Sequence, residues 1–214
     1  NTLKSSNDSK TKKTKNLIKS ICLDALTNLS IENICEFDKH FENVKRISRV
    51  LELQTLVLPF LSSKSINDLD YALRAIHIAK EAGLTSQNYK KEVRIALEFN
   101  LTSEVIMRAF ELANIENMGV CVDLGNIKSL GLNPEEEIAK LRERVFHIHV
   151  KDKNILGSNV MLGLGGVDFT KCFECLKTIN YEGLVTLETC YSNDAIDGAN
   201  KNLKFISNIM KTNL

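Results

Sequence analysis

Four side chains that can bind a divalent cation stand at the ends of four successive apolar stretches. They are Glu98, Asp123, His149 and Glu188. The first three follow one another at 25 and 26 residues, about one strand–helix repeat, and 39 residues separate the last two. Three carboxylates and one imidazole suit Mn²⁺, Mg²⁺ or Co²⁺, with Zn²⁺ as a further option. The pattern therefore indicates a divalent-metal centre.

Each of these residues also has an ordinary explanation when it is taken alone. An acid that follows a strand often caps the next helix or faces solvent. His147 shares a face of its strand with His149 but lies two residues, or about 6.6 Å, deeper. We therefore expect His147 to pack in the interior. The metal hypothesis depends on the agreement of four consecutive strand ends.

The elements that must position these residues alternate along the chain. Short apolar stretches predict six buried strands, at 17–25, 54–60, 93–99, 118–124, 145–150 and 183–189. Stretches with helical periodicity lie between several of them. Alternating strands and helices are typical of a parallel sheet that is covered by helices.

Polar residues at the carboxyl ends of the strands favour a (β/α)8 TIM barrel, an α/β fold whose active site lies at that edge. No GxGxxG follows the first strand, so nothing indicates a dinucleotide-binding open sheet. A barrel needs eight strands, and the sequence begins without Met. We therefore expect the first two β/α units to be missing, with residues 1–15 as a polar segment and residues 16–214 as one partial barrel domain. A six-stranded open sheet is the alternative.

Composition excludes several classes of protein. The 214 residues carry 28 basic and 27 acidic side chains, a net charge of +1, which gives no electrostatic reason to bind nucleic acid or a membrane surface. No apolar run reaches the roughly 18 residues that span a bilayer, and no signal peptide is evident. Six scattered cysteines suit reduced thiols in the cytoplasm. Cys172 and Cys175 lack a second pair for a zinc site, so we expect them to be small buried residues.

Several ordered motifs resemble those of a known family. "ALEFN", "GVCVDLGN", "RVFHIHVKD" and "LGLGGVDFTKCFECLKTINYEGLVTLE" occur in the order seen in sugar phosphate isomerases and epimerases of the xylose isomerase-like barrel superfamily. The resemblance runs from about residue 17 to the C-terminus. Its motifs look most like those of the L-ribulose or L-xylulose 5-phosphate 3-epimerases.

This resemblance implies roles for the four residues. Glu98, Asp123, His149 and Glu188 match the family's metal ligands, and Glu98 and Glu188 also match its pair of acid/base carboxylates. The implied activity is that of an isomerase or epimerase that acts on a ketose or ketose phosphate through an enediolate. A divalent cation stabilises the charge that such a reaction develops.

Two further residues are candidates for binding the substrate. Lys151 lies on the same side as His149 and could hold a substrate oxygen, although a salt bridge with a neighbouring acid explains it equally well. Asn126 stands where many relatives have His, and its amide can bind a sugar hydroxyl but is a poor metal ligand. The glycines at 163, 165 and 166 could offer N–H groups to a phosphate.

Other functions remain open at this stage. An inosose dehydratase-type lyase would use a similar metal and base. A phosphodiesterase of the endonuclease IV type is disfavoured by the neutral charge and by the missing histidines. A non-catalytic sugar-binding relic would follow if the first units were absent from the natural protein. We expect a small sugar or sugar phosphate as partner and, since relatives often form dimers or tetramers, a possible homo-oligomer.

Overall fold

The computed structural model describes residues 18–22, 42–44, 46–47, 50–81, 93–190 and 194–213. Its main sheet has six parallel strands, which neighbour one another in chain order. They are β1 Ser20–Cys22, β2 Thr55–Phe60, β3 Arg94–Phe99, β4 Met118–Asp123, β5 Val145–Val150 and β8 Leu184–Leu187. A short antiparallel hairpin, β6 Asp152–Lys153 and β7 Asn159–Val160, is inserted after β5.

Helices connect the parallel strands. Those with defined bounds are α1 Leu69–Glu81, α2 Ser103–Ala113, α3 Leu124–Ser129, α4 Pro134–Leu141, α5 Phe169–Thr178 and α6 Ala195–Asn213, and a 3-10 turn, Arg142–Arg144, precedes β5. Pro134 begins α4 directly after Asn133, and the first helical position is one that proline favours. No helix in the described ranges is long and apolar enough to cross a membrane.

The two faces of the sheet carry different side chains. Alternate residues such as Leu97, Val122 and Ile148 belong to the large core that the helices also line. The residues between them form a separate small cluster of Val57, Ala96 and Cys121. This second cluster fills the inside of the barrel, so the polar residues that follow on the same faces must gather at its carboxyl end.

A bulge in β5 shapes the amino end of the barrel. Val120 pairs with Val145, whereas the next residue, Cys121, pairs with His147, so Phe146 is the extra residue. Its ring packs against the inner cluster and lies where a side chain of residue 119 would be, a position that is glycine. The Arg94 guanidinium stacks 5.5 Å from the centre of the same ring.

All six predicted strands are present, and the TIM-barrel assignment is confirmed. The described residues supply six of the eight strands of such a barrel, which leaves β1 and β8 paired on one side only within that part of the chain. The polar segment at 1–15 lies outside the described residues.

Candidate metal centre and active site

The structure brings the four candidate ligands together at the carboxyl end of the barrel. Glu98, Asp123, His149 and Glu188 each offer a ligand atom, and these atoms all lie within 4.8 Å of one another. Strand register explains the convergence, since Asp123 pairs directly with His149 and the N–H of Glu188 donates to the Val150 carbonyl at the end of β5.

The imidazole of His149 is oriented as a metal ligand would be. His149 is 3% exposed, and its Nδ1 lies 2.9 Å from Glu188 Oε2 and 3.5 Å from Glu98 Oε2. Within the described part of the chain, Nδ1 faces these two oxygens without a well-directed hydrogen bond to either. Buried nitrogens are rarely left in this state. A ring nitrogen that faces two carboxylates fits a shared cation, so the residues present suit a divalent metal.

Lys151 completes the charge balance of the centre. Its Nζ lies 2.8 Å from Asp123 Oδ2 and 2.5 Å from Glu188 Oε1, and its side chain is 8% exposed. With the imidazole neutral, as a bound cation requires, three carboxylates and one ammonium leave two negative charges. A divalent cation would neutralise them.

The pKa values follow from burial and from these contacts. Burial raises the pKa of Asp123, and Lys151 only partly opposes that rise. Burial also favours the neutral form of Glu188, but the adjacent His149 imidazole and Lys151 ammonium lower its pKa to about 2. Burial alone would lower the pKa of His149, yet the Cys121 thiol and the Glu188 carboxylate raise it. Without a metal, these contacts therefore favour a protonated imidazole at His149 beside an ionised Glu188 carboxylate.

Helix α3 orients two of the candidate ligands. Asp123 caps this helix, because its Oδ1 accepts a hydrogen bond from the Asn126 N–H at 2.8 Å. The Asn126 side-chain amide donates to Glu98 Oε1 at 3.2 Å. A Cβ on Gly125 would lie 2.8 Å from Lys151 Cγ, so glycine lets the lysine stem pass the helix. Asp123 is thus both a cap and a member of the centre.

His147 lies beneath the centre, as predicted. It is 1% exposed, its ring meets that of His149 edge to face at 5.2 Å, and its Nε2 is 2.9 Å from Thr186 Oγ1. Burial, together with the neighbouring His149, lowers its pKa to about 3. His147 is therefore a neutral interior residue.

The glycine-rich loop does not offer its amides to a phosphate. The N–H groups of Gly163 and Gly165 donate to Asp152 Oδ2 at 3.0 and 2.9 Å, and the N–H of Gly166 donates to the Lys153 carbonyl at 3.0 Å. The N–H groups that the sequence offered as candidates for a phosphate are thus engaged within the protein, because a fully buried carboxylate holds the loop.

Sequence reasoning missed Cys22, whose thiol lies near Glu98 and His149. Its position on an inward face of β1 was the available signal. Cys172 is buried, as predicted, and burial raises its thiol pKa above the ordinary range. Cys175 is half-buried and its pKa is raised by burial as well. Neither thiol has the exposed, electropositive surroundings of a reactive cysteine.

One curated relative shares part of the sequence. An uncharacterized protein of Methanocaldococcus jannaschii is 28% identical over 100 residues, which are 45% of this chain and 34% of the relative. The chain thus spans about a third of the length of the curated relative that it matches.

Solved structures share the fold. An IolI protein with a bound zinc atom superimposes with a TM-score of 0.65 at 18% identity, covering 91% of this chain and 76% of that one. A D-allulose 3-epimerase from Methylomonas sp., in complex with D-allulose, superimposes with a TM-score of 0.68 at 18% identity. The match covers 92% of this chain and 81% of the epimerase. Residues 72–209 match the family described as Xylose isomerase-like TIM barrel. The chain belongs to the xylose isomerase-like TIM barrel family.

Proposed function

We propose that the protein is a metal-dependent isomerase or epimerase of a ketose or ketose phosphate, with Glu98 and Glu188 as its acid/base pair. One observation carries this proposal. Both carboxylates approach His149 Nδ1, at 3.5 and 2.9 Å, from strands that flank the β4–β5 pair. Two acids on either side of one small site are what proton removal and return at a single carbon require.

Glu98, Asp123, His149 and Glu188 would hold the cation. When bound, a divalent ion supplies Lewis-acid stabilisation of the negative charge that develops on a substrate oxygen. Glu188 is ionised at neutral pH and its side chain is half-exposed, so its carboxylate would accept a proton from the carbon beside the ketone. Glu98, buried and oriented by Asn126, would return a proton to that carbon. Lys151 would hold a substrate oxygen.

The substrate that suits this site is a small polyhydroxy ketone. The structural neighbour from Methylomonas sp. binds D-allulose, which supports a sugar of that class. The amides of Gly163, Gly165 and Gly166 are engaged within the protein and give no support for a phosphate on the sugar.

The experiment is to incubate the protein with Mn²⁺ and a panel of ketoses and ketose phosphates in D₂O. NMR then follows deuterium at C3 and the appearance of the epimer. The proposal predicts both deuterium uptake and epimer formation. Both should be lost in Glu98→Gln and Glu188→Gln and retained in the surface variant Glu111→Gln. Absence of exchange and of aldose or epimer formation for every sugar, in protein that binds Mn²⁺, would refute it.

A dehydratase is the second candidate. The observation behind it is the contact of Lys151 Nζ with Glu188 Oε1 at 2.5 Å, which places a proton donor beside a carboxylate. Such a pair could remove a proton and donate one to a departing hydroxyl group. In the same NMR experiment a lyase would yield an enol or enone product with loss of water, whereas an epimerase conserves every hydroxyl group.

A further inference from the structure

A second group of potential metal ligands overlaps the first. Cys22, Glu98 and His149 offer ligand atoms that lie within 4.8 Å of one another. Glu98 and His149 belong to the oxygen-rich centre described above, whereas Cys22 adds a sulfur atom from the end of β1. Cys22 is also exposed, so an ion from solution can reach it.

Strand register places Cys22 on the inner side of the barrel. Cys22 pairs with Val57, and Val57 belongs to the small cluster inside the barrel. Two residues further along β2, Pro59 pairs with Glu98. The thiol therefore lies one layer below the carboxylates, on the side that faces the interior.

His149 supplies a second observation. Its buried Nδ1 faces Glu98 Oε2 at 3.5 Å and Glu188 Oε2 at 2.9 Å without a well-directed hydrogen bond to either. An ion with bonds of about 2.3 Å to sulfur and 2.0–2.2 Å to nitrogen and oxygen has tetrahedral ligands about 3.6 Å apart. The ligand atoms of Cys22, Glu98 and His149 now lie within 4.8 Å of one another, so small rotations of the side chains would bring them to that spacing.

We propose that Cys22, Glu98 and His149 form a second site for a thiophilic divalent ion such as Zn²⁺ or Cd²⁺, and that this site excludes an ion from the oxygen-rich centre. The exclusion follows because both sites use Glu98 and His149. Sulfur selects softer ions, whereas three carboxylates and an imidazole suit harder ones. On binding, the Cys22 thiol releases its proton to water, and the sulfur lone pair forms the bond to the ion.

The consequence is inhibition of the proposed activity by thiophilic ions in competition with Mn²⁺. This inference rests on the proposed function only in its use of Glu98 and His149 as ligands. It makes Cys22 a determinant of which metal the protein holds.

The test is to titrate the full chain, freed of metal, with Cd²⁺ and to record the ultraviolet absorption of cadmium–thiolate bonds. We expect absorption with the first equivalent in the unmodified protein and in Cys175→Ser. In Cys22→Ser and Cys22→Ala we expect the absorption to be lost. We also expect Cd²⁺ affinity to fall at least about tenfold, which is the smallest loss typical of mutations around a metal site. Mn²⁺ affinity is retained, and excess Mn²⁺ displaces Cd²⁺ from the unmodified protein.

Different failures have different meanings. Unchanged absorption in both Cys22 variants overturns the second site, and if Mn²⁺ still binds, the proposed function stands. If Cd²⁺ stays bound at saturating Mn²⁺, the claim that the two sites share Glu98 and His149 is wrong. If neither ion binds the unmodified protein, the inference and the proposed metal centre both fail.

Discussion

Lys151 Nζ lies 2.8 Å from Asp123 Oδ2 at the carboxyl end of the barrel, so an ammonium group stands beside a carboxylate that would also hold a metal. Burial of Asp123 favours its neutral form, and Lys151 offsets part of that effect. Both partners are almost fully buried, so water screens the contact weakly. The lysine therefore stabilises the metal-free centre, and we expect it to compete with a cation for Asp123.

Replacing Lys151 with methionine should tighten metal binding and abolish most activity. The variant removes a positive charge a few ångströms from the cation, which we expect to raise Mn²⁺ affinity roughly tenfold. The proposed contact to a substrate oxygen is lost at the same time. Calorimetric titration with Mn²⁺ measures the affinity, and Lys171→Met, at an exposed helical pair, is the matched control. Weaker Mn²⁺ binding in Lys151→Met would contradict the competition.

Metal binding at neutral pH should release a proton from His149. Neighbouring groups raise the pKa of this imidazole in the metal-free protein, so it is protonated there and must become neutral to bind a cation. Apparent Mn²⁺ affinity should therefore weaken as the pH falls and strengthen as it rises. Titration in two buffers with different ionisation enthalpies gives the proton count, which we expect to be about one. A binding enthalpy that is the same in both buffers would show that no proton is released.

Asp152 should determine the order of the glycine-rich loop. Its buried carboxylate accepts N–H bonds from Gly163, Gly165 and Val167, and an amide in its place has only one accepting oxygen. We expect Asp152→Asn to cost about 1–3 kcal/mol of unfolding free energy. Hydrogen exchange of the three amides should accelerate at least about tenfold.

The matched control for that change is Asp168→Asn, since Asp168 caps α5 at an exposed position and asparagine caps helices equally well. Equal exchange rates in Asp152→Asn and the unmodified protein would mean that the loop is held by other contacts.

Gly119 should tolerate no side chain. A Cβ there would meet the Phe146 ring and would lie 2.6 Å from the Arg144 carbonyl oxygen, so the bulge in β5 must shift. We expect Gly119→Ala to destabilise the fold by about 1–3 kcal/mol, as overpacking does. Urea unfolding measures this, with Gly166→Ala as the control because its nearest neighbours are 3.5 Å away. Equal midpoints for the two variants would contradict the close packing of Phe146.

The sequence predicted the sheet well, because parallel buried strands are short apolar runs between polar segments. It also predicted which residues meet: Glu98, Asp123 and His149 end successive strands, and the pleat fixes their common face. Helix α2 was not predicted, although Thr102 caps its start and Asn114 ends it in the left-handed conformation. These local signals were present in the sequence.

Other features depend on contacts that no local pattern contains. The Asp152 carboxylate accepts a hydrogen bond from Val167, 15 residues further along the chain. Such long-range contacts explain why the loop amides are engaged within the protein. The bulge at Phe146 depends on the space left by Gly119 in the adjacent strand. The pairing of Lys151 with Asp123 was one of two explanations that the sequence left equal, and the ion pair is present.

The four-ligand centre is tested most directly by crystals grown with Mn²⁺ and measured by anomalous diffraction. We predict one manganese peak at the carboxyl end of the barrel, within about 2.0–2.4 Å of Glu98, Asp123, His149 and Glu188. A fully occupied peak elsewhere, or none in crystals saturated with Mn²⁺, would contradict it.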